Sequence, residues 1–166
     1  MEPPTTIDVT TNLKALRDFF ASCDGVVFAY LFGSRARAQA GPLADVDIAV
    51  MLDGGLNGDQ RFEKRLGLMG ELCRVLQTQF VDVLILNEAP LALAYRVIRD
   101  GILLTCRDRD RLIDFTARTV SLYLDFKPVM ERHERAILAR ARRGELLDGH
   151  NPHRGALERY RQRRKA

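Results

Sequence analysis

The 166-residue chain has no tryptophan and only three cysteines. Cys23, Cys73 and Cys106 are far apart, odd in number and each set in an apolar run, which argues against a disulfide frame or a thiolate metal site and fits reduced core thiols of a cytoplasmic protein. No apolar run approaches the roughly 20 residues that cross a bilayer, and "MEPPTTIDVTTNLKAL" has no basic segment leading into an apolar one. No membrane partner is expected. A glycine fingerprint for dinucleotide binding is missing as well, which removes the doubly wound nucleotide fold. The three histidines, His133, His150 and His153, have no partner at metal-ligand spacing, so they read as surface residues.

What is present is enough apolar residue, 46%, for one domain with a packed core. Apolar residues at Leu13, Leu16, Phe19 and Phe20 recur with helical period, capped by Thr10 or Thr11 and stopped at Gly25. "VVFAYLF" from Val26 to Phe32 reads as a strand buried on both faces. Further strands are expected in "DVDIAVML" from Asp45, "FVDVLILN" from Phe80 and "ILLTC" from Ile102. Between them lie a Gly41-Pro42 turn, a glycine-rich loop "DGGLNGD", and a helix with Phe62, Leu66, Met69, Cys73 and Leu76 on one face. Pro90 opens a short helix that Gly101 ends. From Asp108 the chain reads as helical with an interruption at Pro128. The fold expected is α/β (α+β): a small mixed sheet of about four strands backed by helices on one face, with a C-terminal helical extension. The expected division is a core over 1–107, an extension over 108–150 and a basic tail over 151–166, where six basic residues stand against one acid.

Two aspartates inside a buried strand need compensation, because desolvating a carboxylate is costly. Side chains alternate along a strand, so Asp45 and Asp47 share a face about 7 Å apart. Asp82 sits in a similar context, and pairing its strand beside theirs adds a third acid to that face. Divalent cations would offset the repulsion, and oxygen-only ligands favour Mg²⁺, which completes its shell with water and substrate phosphates. Gly33 permits close backbone approach to a phosphate, Ser34 supplies a hydroxyl and an amide, and Arg35 and Arg37 stand near enough in sequence to offset triphosphate charge.

Gly33-Ser34, ten residues, then "DVD" at 45–47 resemble the signature of the DNA polymerase β-like nucleotidyltransferase superfamily. "AYLFGSRARA", "DVDIAVML", "VDVLILNEAP", "RVIRDGILL" and "YLDFKPVMERH" further resemble its MntA-like minimal nucleotidyltransferases, antitoxins to HEPN ribonuclease toxins. The resemblance implies that Gly33 and Ser34 hold the β- and γ-phosphates of ATP. It implies too that Asp45 and Asp47 ligate two Mg²⁺ ions, and that Asp82 completes the metal site and helps activate the acceptor. The reaction implied is transfer of AMP from ATP to a tyrosine of a HEPN toxin encoded as a separate chain. The group usually has Gly where Ala38 stands and often Ser where Ala44 stands.

Two other readings stay open: an antitoxin that masks its toxin by stoichiometric binding, and a nucleotidyltransferase acting on a small molecule or an RNA end. The basic tail invites nucleic-acid contact but is given no role, since such runs are commonly solvated. Tyr30 and Tyr95 read as core or half-core positions, and Tyr123 with Phe126 as packing or a partner surface.

Overall fold

Among the described residues, nine elements follow one another: α1 (Val9–Ser22), β1 (Val26–Phe32), α2 (Gly33–Ala36), β2 (Val46–Leu52), α3 (Gly58–Leu76), β3 (Val81–Ile85), α4 (Leu91–Asp100), β4 (Ile102–Cys106) and α5 (Arg109–Arg142). They come from a computed structural model that describes residues 9–36 and 45–143. The Gly41-Pro42 turn, Arg37, Ala38, Ala44, His150, His153 and the basic tail lie outside those residues. The chain divides into two units between Tyr123 and Leu124.

In the first unit four strands form one mixed sheet in the order β3-β2-β1-β4. β1 runs antiparallel to β2 and to β4, while β2 and β3 run parallel. A parallel pair needs a crossover, and the 19 residues of α3 supply it. The expected four strands all form, with ends within two residues of those read from the sequence.

The helices cover both faces of the sheet, not one. Leu16 and Phe20 of α1 and Leu68, Leu72 and Leu76 of α3 join Ile48, Val50, Val83 and Ile85 in one core. On the other face Val97 of α4 packs with Phe28, Tyr30, Ala49 and Met51, and Leu112 and Phe115 of α5 close over them. The reason is visible in β1 and β2: both are apolar at successive positions, so neither face can be left to water. Each fully buried Phe or Leu here contributes about 1.5–3 kcal/mol.

α3 presents a different stripe from the one its apolar residues suggest. Leu68, Leu72 and Leu76 are buried, Met69 and Cys73 flank them, and Phe62 and Leu66 are exposed at 57% and 51%. Two apolar stripes lie one residue apart on this helix, and the one with three leucines at i, i+4 and i+8 reaches the sheet. Its start is a capping box: Gln60 N donates to Asn57 Oδ1 and Asn57 N donates to Gln60 Oε1, each at 2.9 Å. The end of the glycine-rich loop is therefore a helix signal.

Polar clips tie the loops to the sheet. Leu52 N donates to Asn87 Oδ1 at 2.9 Å, and Asn87 Nδ2 donates back to Leu52 O at 3.0 Å, joining the ends of β2 and β3. Arg111 Nη2 donates to the same carbonyl at 3.0 Å. Arg107 Nη2 donates to Ala21 O at 3.0 Å, satisfying a carbonyl in the last turn of α1. Tyr95 of α4 stacks on Tyr123 of α5 with ring centroids 3.7 Å apart and planes 4° from parallel, so both serve as packing. Tyr30 is in the core, and burial pushes its phenol pKa up. The three cysteines are free and half-buried, each beside a core cluster.

In the second unit α5 continues through Pro128, where an interruption was expected. The missing N–H costs one ladder bond, on the order of 3 kcal/mol. Around it Lys127 pairs with Glu131 at 3.8 Å, and Arg132 Nε donates to Pro128 O at 3.3 Å. No helix among the described residues is long and apolar enough to cross a membrane.

The Asn87 clip predicts a measurable loss. Asn87→Leu removes both hydrogen bonds to Leu52 and leaves a part-buried amide unpaired, so urea denaturation should show a fall of about 1–3 kcal/mol in unfolding free energy.

Candidate active site

Strand register decides which side chains meet. Phe32, the last residue of β1, pairs with Asp47 of β2, and Asp47 pairs in turn with Asp82 of β3. Residues opposite one another in a sheet share a face, and neighbouring strands lie roughly 4.8 Å apart. Asp47 and Asp82 are therefore neighbours on one face, as the sequence reading expected of the third acid. Asp45, two residues before Asp47, is exposed and lies just ahead of β2. Ala49 and Met51 beyond Asp47, and Leu84 beyond Asp82, belong to the core under α4 and α5. The acids thus occupy the solvent end of a face whose other end is closed.

Gly33 follows Phe32 directly and has φ +78°, in the left-handed region that glycine adopts without strain. A Cβ at this position would overlap the Asp47 carboxylate and stand 2.8 Å from its Cγ. The glycine is thus required twice, for its backbone angle and because an acidic side chain lies against its Cα. Ser34, half-buried, is the next residue, inside the short α2. Gly33-Ser34 and Asp47 are brought together by the β1–β2 pairing, which sets Asp47 opposite Phe32. Arg35 belongs to α2 but its side chain lies outside the described set, as does all of Arg37.

Asp82 has a partner that the sequence reading missed. Arg65 of α3 reaches round the free edge of β3, where its Nη2 donates to Asp82 Oδ1 at 2.9 Å and its Nε donates to Val83 O at 2.6 Å. The two side chains are 40% and 60% exposed, and a pair so solvated contributes only about 0–1 kcal/mol. The backbone bond to Val83 fixes the guanidinium independently of Asp82. No signal in the sequence marks Arg65, because the contact depends on a helix face and a strand edge 17 residues apart.

Mg²⁺ is the ion that the acids imply. The donor chemistry fits: Asp45 and Asp47 are carboxylates two residues apart in the chain, and a Cβ at Gly33 would take the space that the Asp47 carboxylate occupies. The convergence of all three acids is not present. Among the described residues no three His, Cys, Asp or Glu side chains stand close enough to hold a metal ion. Asp82 is paired instead with Arg65.

The polymerase beta nucleotidyltransferase family model matches residues 14–110, a span that runs from within α1 through β4 and holds Asp45, Asp47 and Asp82. The chain belongs to that family. A sequence comparison with characterised proteins gave no match. Among solved structures, a toxin–antitoxin crystal structure with AMP-PNP contains a chain similar to this one at 24% identity and TM-score 0.60, covering 79% of this chain and 98% of that one. The MntA-HepT toxin–antitoxin structure is similar at 23% identity and TM-score 0.55, covering 78% and 96%. The complex of tri-AMPylated Shewanella oneidensis HEPN toxin with MNT antitoxin is similar at 24% identity and TM-score 0.55, covering 78% and 95%. These likenesses agree on the nucleotidyltransferase fold.

The close approach at Gly33 yields a double-mutant test. Gly33→Ala should destabilise by at least the roughly 1–2 kcal/mol that a side chain costs at left-handed φ, with more from the overlap. Adding Asp47→Ala removes the overlap and leaves the backbone cost, so the pair should be less destabilised than the sum of the singles. Thermal denaturation of the four proteins measures the coupling, and strict additivity would show that the two residues do not touch.

Proposed function

We propose that this nucleotidyltransferase is a cytoplasmic, Mg²⁺-dependent protein adenylyltransferase that serves as an antitoxin. It transfers AMP from ATP to a tyrosine of a HEPN ribonuclease toxin made as a separate chain. The observation that carries this is the lodging of Asp47 against Gly33, with Ser34 beside it and Asp82 on the adjoining strand. That is a phosphate-holding turn built directly onto a carboxylate pair. The AMP-PNP in one similar toxin–antitoxin structure, and the tri-AMPylated HEPN toxin in another, support this reading of the nucleotide and the acceptor.

In this reading the Gly33 and Ser34 backbone N–H groups and the Ser34 hydroxyl receive the β- and γ-phosphates. Asp45 and Asp47 would hold two Mg²⁺ ions, which when bound stabilise charge on the attacking and leaving oxygens of an in-line displacement. The tyrosine oxygen attacks the α-phosphorus, its bond to phosphorus forms, and the bond to pyrophosphate breaks. Asp82 lies on the same face to take up the hydroxyl proton. Arg35 and Arg37 would offset phosphate charge from the turn that follows Ser34.

The Arg65–Asp82 pair favours keeping one further reading, in which the protein neutralises its toxin by masking it. The two separate by dose. With ATP and Mg²⁺, the purified chain should add AMP to a HEPN partner at well below equimolar ratio, seen as discrete AMP mass increments. Asp47→Asn should slow this by at least about 10²-fold, the loss of several kcal/mol of charge stabilisation. Equal protection by wild type and Asp47→Asn at equimolar ratio, without ATP, would establish masking.

A further inference from the structure

The second cation at this site is one the chain carries itself. Asp47 and Asp82 are adjacent in register, and two carboxylates on one face repel unless positive charge intervenes. Arg65 supplies that charge from an unusual direction. Its helix packs on the opposite face of the sheet, among Leu68, Leu72 and Leu76, and its side chain comes round the free edge of β3. The 2.6 Å bond from Nε to Val83 O anchors it to backbone, so its position does not depend on the carboxylate it serves. Only Nη2 binds Asp82, at 2.9 Å and through Oδ1 alone. The pair is solvated on both sides, so little free energy opposes its opening.

Resting on the Mg²⁺-dependent reading above, we propose that Arg65 is a built-in occupant of the third carboxylate. It holds Asp82 off the Asp45–Asp47 pair, and a divalent cation recruits Asp82 only by displacing it. Binding of the cation and opening of the Arg65–Asp82 pair are then one event. Arg65 acts on the site through Asp82 and is a positioning residue. After release it keeps its place on Val83, close enough to recapture Asp82 when the cation leaves.

Mn²⁺ alone, titrated into the full chain by calorimetry or by loss of the free-ion electron spin resonance signal, tests this without any catalytic turnover. Arg65→Gln should bind Mn²⁺ roughly two- to fivefold more tightly than wild type, because Arg65 no longer competes for Asp82. Asp82→Asn should bind more weakly than wild type. In the Asp82→Asn background, adding Arg65→Gln should change affinity by less than about twofold at about 0.15 M salt, where exposed charges are screened. Arg65→Lys keeps the charge without the fork that spans Val83 O and Asp82, and should tighten binding by a smaller factor; it carries the test if the glutamine variant does not fold. Unchanged or weaker binding by the Arg65 variants overturns the proposal, as does the same gain with and without Asp82. A wild-type chain that binds no Mn²⁺ overturns the metal-dependent reading and this inference together, whereas normal binding indifferent to Arg65 overturns this inference alone.

Discussion

The site depends on the register of β2 between its two neighbours. Because side chains alternate, a slip of one residue would carry Asp47 into the core under α1 and α3 and bring Ile48 to the surface. The slip is resisted along the whole strand, since Ile48 and Val50 fill one core and Ala49 and Met51 the other. Burying an uncompensated carboxylate would cost more than most single core contacts supply. The apolar residues of β2 therefore aim its acid, and the acid in turn reports that the register is right.

That register sets the demands on everything around it. Phe32 stands opposite Asp47, so the residue after Phe32 must turn the chain away while leaving room for a carboxylate, and only glycine does both. The parallel partner strand puts Asp82 beside Asp47, so α3 must cross over to deliver it, and the same crossover brings Arg65 to the strand edge. The clip of Asn87 and Arg111 on Leu52 secures the far end of β2, where the core closes. One end of the strand is locked by polar bonds, and at the other stands the exposed Asp45.

Much of this was legible in the sequence because the signals are short-range. The β1 and β2 runs, the Gly33-Ser34 turn and the spacing to Asp45 and Asp47 each sit within a few residues and depend on alternation or on glycine's freedom. Asp82 was legible only as a conditional, since its place depends on which strands pair. The face of α3 was misread because Phe62 and Leu66 extend an equally apolar stripe, and the sheet chose the leucine stripe instead. Helices on the second face were missed although β1 itself, apolar at every position, required them. Arg65 was illegible: one arginine on a charged helix looks like any other until the strand edge is placed beside it.

The bond between Arg65 and the Val83 carbonyl has a consequence unrelated to chemistry at the acids. β3 is the outermost strand of the sheet on that side, and its outward carbonyls are acceptors that another chain could pair with. A guanidinium seated on one of them removes an acceptor in the middle of a five-residue strand and sets a positive charge where an incoming strand would lie. Arg65 thus leaves this edge one acceptor short for an added strand.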